Sequence, residues 1–264
     1  MAIPEWLSIA LLGIIEGVTE FLPISSTGHL LLAERWLPRQ SDLFNIVIQS
    51  GAVLAVIPLF WARIRQFACQ LREREPRELF LKVIAAFGLT GAGGLVLDKL
   101  EFELPETVLP VAVALLAGGV IFICVERLLR GRQLSSNITW TVALAAGLGQ
   151  LVAAVFPGAS RSGTTILIML VLGLNRPLAT EFSFLIGIPT MLAAGGLKIA
   201  NAVLNPGSGA PPENWLLVVL GFVVSAAVSF IVVKWLLRYV QTHTFTVFGW
   251  YRIVLALVLL AWVA

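Results

Sequence analysis

Glu16-Gly-Val-Thr-Glu20-Phe-Leu-Pro23-Ile-Ser-Ser-Thr-Gly-His29 breaks a hydrophobic stretch near 6 to 33 with two carboxylates, a proline, a run of hydroxyls and an imidazole. A second run, Pro157-Gly158-Ala159-Ser160-Arg161-Ser162-Gly163-Thr164-Thr165, breaks the stretch near 140 to 174 in the same manner. At membrane depth, backbone of this kind survives only inside protein or beside a water-filled cavity. These two runs therefore define both the fold and the place where chemistry is expected.

The rest of the chain supplies the membrane. Of 264 residues, 58% are hydrophobic and 12% charged, about half the roughly 25% of a soluble domain. Apolar stretches long enough for a ~30 Å hydrocarbon core, which takes about 20 helical residues, recur near 43 to 60, 79 to 97, 107 to 126, 178 to 204, 214 to 233 and 247 to 264. They are continuous, without the alternation of barrel strands, so the expected fold is an all-α polytopic bundle forming a single membrane domain over 1–264. The net charge of +3 gives no reason to expect nucleic acid. Met1 to Trp6 lacks the positive region of a secretory signal, so the first hydrophobic segment is expected to stay. Cys69 and Cys124 are too few for a disulfide framework and lack metal-ligand spacing, so both are read as free thiols.

Charge sets the orientation. Arg63, Arg65, Arg72, Arg74, Arg77 and Lys82, then Arg127, Arg130 and Arg132, then Lys234 and Arg238 mark three cytoplasmic connections by the positive-inside rule. The acidic connections 98 to 106 and 205 to 213 fit the outside. With those fixed, 140 to 174 must return to the face it starts from, and 6 to 33 either returns or crosses. A shift of 134 residues, laying Gly13 on Gly147, Glu16 on Gln150, Pro23 on Pro157 and Ser26 on Ser160, favours the return. The expected architecture is two inverted repeats, approximately 1–132 and 137–264, each a re-entrant helix pair and three spans, about six transmembrane helices in all. Trp36, Trp61, Trp140, Trp215, Trp235 and Trp250 fall near segment ends, as an interfacial belt would.

Glu16 and Glu20 share one helix face inside apolar sequence, where an ionised carboxylate costs several kcal/mol, so they call for a divalent cation or a proton. Ser25, Ser26, Thr27 and His29 follow the break at Pro23 and suggest a nucleophile with an acid/base partner. In the second run, Gly158 and Gly163 let the backbone approach an anion, Ser160, Ser162 and Thr165 add donors, and the planar fork of Arg161 matches phosphate. The alternative is that Arg161 neutralises Glu16 or Glu20. Lys198 and Asn201 are read as snorkelling, Arg176 and Glu181 as flanking a span, and His243 as part of a basic loop. Together the runs suit phosphoryl transfer or hydrolysis on a lipid-linked phosphate. The rival reading is a lipid-phosphate or ion transporter.

At these residues the chain resembles the bacterial undecaprenyl-diphosphate phosphatase family associated with bacitracin resistance, through Glu16 to His29, Pro157 to Thr165 and Glu181-Phe-Ser-Phe-Leu-Ile-Gly-Ile-Pro189. The resemblance implies hydrolysis of undecaprenyl diphosphate to the monophosphate and inorganic phosphate, recycling the carrier for cell-wall synthesis. It implies a multi-pass protein of the bacterial plasma membrane, among bilayer lipids, with a site facing the periplasm, a polyprenyl diphosphate as substrate, and a divalent cation, Mg2+ or Ca2+. It assigns Glu16 and Glu20 to metal or protons, Ser26 to attack or phosphate binding, and His29 to acid/base work. Arg161, with Ser25, Thr27, Gly158, Ser160, Ser162, Gly163 and Thr165, is assigned to phosphate. Attack by Ser26, His29 or activated water stays open, with Ser26 favoured; a homodimer is compatible with the sequence.

Overall fold

The computed structural model describes residues 3–100, 107–204 and 214–263. The acidic connections expected outside lie largely beyond these: Glu101, Glu103, Glu106 and Glu213 are outside the described residues. Everything regular among the described residues is helix: α1 Glu5–Thr19, α2 Ser26–Ala33, α3 Asp42–Val56, α4 Trp61–Cys69, α5 Arg74–Lys99, α6 Val108–Leu128, α7 Trp140–Val155, α8 Arg161–Val171, α9 Arg176–Leu204, α10 Trp215–Tyr239 and α11 Thr246–Val263. Five rods are long and apolar enough to cross a membrane: Asp42–Cys69, Arg74–Lys99, Val108–Leu128, Arg176–Asn201 and Trp215–Tyr239. The first is α3 and α4 joined through a 3-10 turn, Ile57–Phe60, where Pro58 removes a main-chain donor. Pro189 sits within α9 without ending it.

Both broken stretches are pairs of short helices. α1 ends at Thr19, the Glu20–Ile24 segment turns with Ile24 N–H donating to the Leu22 carbonyl at 2.7 Å, and Ser25 starts α2. α7 ends at Val155, Ala159 N–H donates to the Phe156 carbonyl at 3.0 Å, and Ser160 starts α8. Among the described residues, Ser25 at φ 71° and Ser160 at φ 67° are the only non-glycine residues in the left-handed region. Each caps its helix, the Ser25 hydroxyl accepting from Gly28 N–H at 3.4 Å and the Ser160 hydroxyl from Gly163 N–H at 3.2 Å. Ser25, and not Ser26, is thus the structural partner of Ser160. The 134-residue shift slips by one within the loops, because two steps lead from Pro23 to its serine and three from Pro157.

Some helix contacts are alike in the two parts of the chain. α1 packs on α10 and α7 on α5; α3 packs on α10 and α9 on α5; α3 meets α9 and α6 meets α11. Without a hydrophobic drive between helices in lipid, close approach depends on small residues. A β-carbon on Gly17 would lie 2.6 Å from the Ser225 carbonyl, and one on Gly13 2.8 Å from that of Gly221. Gly147 meets the Ala86 carbonyl at 2.9 Å, and Gly119 and Gly249 face each other across α6 and α11. The tryptophans at 36, 61, 140, 215, 235 and 250 are all exposed, which suits an interfacial belt and not core packing. Cys69 and Cys124 are free and exposed.

Gly17→Leu is expected to destabilise the detergent-solubilised protein by ~1–3 kcal/mol, the usual size of overpacking, read as a lower melting temperature. Gly94→Leu, at a glycine with open space around it, is expected to leave that temperature unchanged.

Candidate active site

The two loops meet at a cavity of about 450 Å3. One wall carries Glu20, Ser25, Ser26 and Thr27 from the first loop with Gln49 of α3; the facing wall carries Pro157, Gly158, Ser160 and Arg161 from the second. Ala153, Ala154 and Ala194, with Met191 and the polar Thr90, Gln150, Thr190 and Lys198, complete it. A smaller adjoining cavity of about 240 Å3 shares Ser26, Thr27, Gln49 and Lys198 with the first and adds Glu16, Arg39 and Asp42.

Glu20, only 7% exposed, is the hub. The Ser26 hydroxyl donates to its Oε2 at 2.8 Å, the Gln49 amide donates to the same oxygen at 3.3 Å, and Arg161 Nη2 reaches Oε1 at 3.5 Å. A serine hydroxyl on a buried carboxylate is an arrangement that could activate the hydroxyl oxygen. Arg161 is held on its other edge by the Ser183 carbonyl at 3.5 Å and lies over the Phe21 ring, 5.7 Å from its centroid. Its Nε has no partner among the described residues. Gly187 on α9 makes room for it, since a β-carbon there would collide with the guanidinium. Arg161 thus touches Glu20, the alternative the sequence raised, and also lines the cavity.

Ser162, Gly163 and Thr165 stand behind the cavity wall. The Ser162 hydroxyl donates to the Leu22 carbonyl at 3.1 Å, joining one loop to the other, and Thr165 Oγ1 lies 2.6 Å from Ser183 Oγ. His29 also lies aside from both cavities: Nδ1 is 2.7 Å from the Ser25 carbonyl, Nε2 is 2.7 Å from the Tyr251 hydroxyl, and the two rings stack. Its bond to Ser25 holds the strained cap.

A divalent cation fits this donor set in one form. No group of three or more His, Cys, Asp or Glu that could hold a metal ion occurs among the described residues. Mg2+ is instead commonly held by one or two carboxylates together with substrate phosphates and water. Glu16, 2% exposed, keeps an oxygen without a hydrogen-bond partner and borders the smaller cavity beside Glu20.

Several site residues were missed in the sequence. Gln49 and Ser183 are polar groups inside apolar helices, a recognised mark of function in membranes, and Lys198, read as snorkelling, borders both cavities. Arg176 and Glu181 are structural, as read: Arg176 binds Glu126, and Arg63 Nε meets Glu181 at 2.6 Å.

Residues 9–258 match the protein family described as bacitracin resistance protein BacA. The chain belongs to this family. Its relatives include an undecaprenyl-diphosphatase of Rhizobium etli, 50% identical over 261 residues that cover 98% of each chain. One of Xanthomonas oryzae pv. oryzae is 50% identical over 259 residues, 98% of this chain and 97% of the relative. A third, from Rhizobium johnstonii, is 48% identical over 261 residues, again 98% of each. The family match spans both loops, α9 and Arg252.

Two substitutions test the geometry through polyprenyl diphosphate hydrolysis. Gly187→Ala should displace the Arg161 guanidinium and lower kcat/KM roughly 10- to 100-fold, the range for a misplaced catalytic group. Lys198→Ala should raise KM roughly two- to five-fold, the size of an exposed charge interaction, and the effect should shrink as salt is added.

Proposed function

We propose that the protein is an undecaprenyl-diphosphate phosphatase: it hydrolyses the terminal phosphoanhydride of the lipid diphosphate, releasing inorganic phosphate and undecaprenyl phosphate for another round of cell-wall synthesis. Family membership and the near full-length identity to relatives named undecaprenyl-diphosphatase support this. The observation that carries it is the meeting of the Ser26 hydroxyl, the Glu20 carboxylate and the Arg161 guanidinium at one cavity wall.

In the reading this geometry supports best, the terminal phosphate enters between the loops. Arg161, which lines the cavity, meets the phosphate oxygens, and the Ser160 hydroxyl adds a donor from the start of α8. Glu20 takes the proton of the attacking oxygen. Ser26, 2.8 Å from Glu20, is the favoured nucleophile; a water held at the same place would serve as well. Attack forms the new P–O bond in line as the anhydride P–O bond breaks, and the polyprenyl phosphate leaves. With Ser26 attacking, a second attack by water frees the serine and inorganic phosphate. A divalent cation, held by Glu16 and Glu20, would neutralise phosphate charge. His29 acts through the Ser25 cap that it holds.

The finer architecture follows the same reading. The matched contacts and the twin serine caps support two repeats of opposite orientation, with α1–α2 and α7–α8 as the re-entrant pairs and α11 as the sixth span. The smaller cavity borders the start of α3, at the opposite end from the arginine-rich α4, which favours a site open to the periplasm in the plasma membrane. Both loops come from one chain, so the chemistry needs no second copy.

Purified protein in detergent, with no gradient, should release phosphate from a polyprenyl diphosphate; no release at any Mg2+ or Ca2+ concentration sinks the enzyme reading and leaves the transporter. Arg161→Ala and Glu20→Ala should each cost roughly 100-fold or more in kcat, as loss of transition-state charge stabilisation does. Ser26→Ala separates the two nucleophiles: covalent attack predicts no turnover, activated water predicts a measurable rate.

A further inference from the structure

Arg252, in the last helix, has no part in the mechanism above and does not border the cavity, yet it is 1% exposed and touches both loops. Its Nη1 donates to the carbonyls of Pro23 at 3.2 Å and Ala159 at 3.0 Å. Its Nη2 donates to Gly158 at 3.2 Å and Ala114 at 3.2 Å, and Nε to Leu115 at 3.4 Å. A guanidinium has five N–H donors, and all five are placed on main-chain carbonyls. Among the described residues no carboxylate forms an ion pair with it.

A buried charge with no counter-charge is costly, and a neutral side chain could pack there more cheaply. Its placement shows what it accomplishes. Pro23, Gly158 and Ala159 are the residues at which the two helix pairs break, and their carbonyls have lost the helical donors that would have met them. One rigid fork thus bonds the first loop, the second loop and α6 at once. Space for it is cut by two glycines: a β-carbon on Gly118 would collide with the guanidinium, and one on Gly163 would lie 3.0 Å from Nη1.

We propose that Arg252 is a positioning residue for hydrolysis, a strut that sets the spacing between the loop bearing Glu20 and Ser26 and the loop bearing Ser160 and Arg161, and whose uncompensated charge strengthens diphosphate binding from behind the cavity wall. The inference rests on the phosphatase reading. It makes two separable contributions: spacing governs the chemical step, and charge governs the affinity for the anion.

Gly118→Ala tests the spacing without touching the charge or any residue on the cavity, because the added methyl takes the place of the guanidinium tip while alanine favours the helix. Arg252→Lys keeps the charge but cannot reach five carbonyls; Arg252→Gln loses the charge. With the full chain in detergent, kcat and KM are measured alongside the melting temperature, and inorganic pyrophosphate binding is measured without turnover. Gly118→Ala is expected to lower kcat roughly ten-fold or more, with KM within three-fold, a loss larger than the fall in folded protein read from its lowered melting temperature. Arg252→Lys is expected to lose kcat but bind pyrophosphate within three-fold of wild type, and Arg252→Gln to lose both.

The strut is overturned if Gly118→Ala and Arg252→Gln keep kcat within three-fold, or if activity falls only in step with the fraction of folded protein. Pyrophosphate binding equal in the Lys and Gln variants overturns the charge contribution. Absence of phosphate release by the wild type is a failure of the phosphatase reading, and the pyrophosphate measurements still decide the charge.

Discussion

A carboxylate and a guanidinium inside hydrocarbon can each be tolerated because the other is there, and the 3.5 Å contact of Arg161 with Glu20 is the interaction on which this structure turns. It is a loose pair. Among the described residues Arg161 Nε and one oxygen of Glu16 have no partner, and a cavity of about 450 Å3 opens beside Arg161 and Glu20. A tight pair would have satisfied both charges and left nothing for a ligand. Here the groups neutralise one another enough to stay buried while keeping donors for an anion, and the same carboxylate holds the Ser26 hydroxyl.

Bringing these charges to one place requires ending helices at membrane depth, which leaves main-chain groups that lipid cannot satisfy. The chain meets this demand twice in the same way. A serine in the left-handed region caps the outgoing helix with its own hydroxyl, at Ser25 and at Ser160. The carbonyls left at the breaks are bound elsewhere, that of Leu22 by Ser162 and those of Pro23, Gly158 and Ala159 by Arg252. Strain at these serines persists because the surroundings over-determine it. Glycine would relax the backbone but could not cap.

Much of this was legible in residues whose chemistry conflicts with their surroundings. Carboxylates, hydroxyls and an arginine in apolar sequence marked the loops, and proline marked the breaks. Less legible was anything that depends on which face of a helix looks where. Ser26 was laid on Ser160 because a fixed shift cannot register the extra residue between Pro157 and its cap; backbone conformation makes Ser25 the equivalent. Ser162 and Thr165 read as phosphate donors, but their hydroxyls are turned to Leu22 and Ser183. His29 stands near Ser26 in the chain and is stacked on Tyr251, a contact 222 residues away that periodicity cannot reveal. Arg252 broke the same rule as Arg161 but stood in an apolar run beside Trp250 and Tyr251, without the Ser-Arg-Ser-Gly pattern that marks the second loop.

The position of Arg252 in α11 also bears on how the protein is made. Synthesis proceeds from the N-terminus, so both loops are complete long before the side chain that bonds their carbonyls emerges. Until α11 inserts and packs on α6, the breaks at Pro23 and Gly158 lack their shared partner, and the strained serines lack part of what holds them. A nascent chain therefore carries every residue of the two loops without their final spacing. The site is completed only once α11 has inserted.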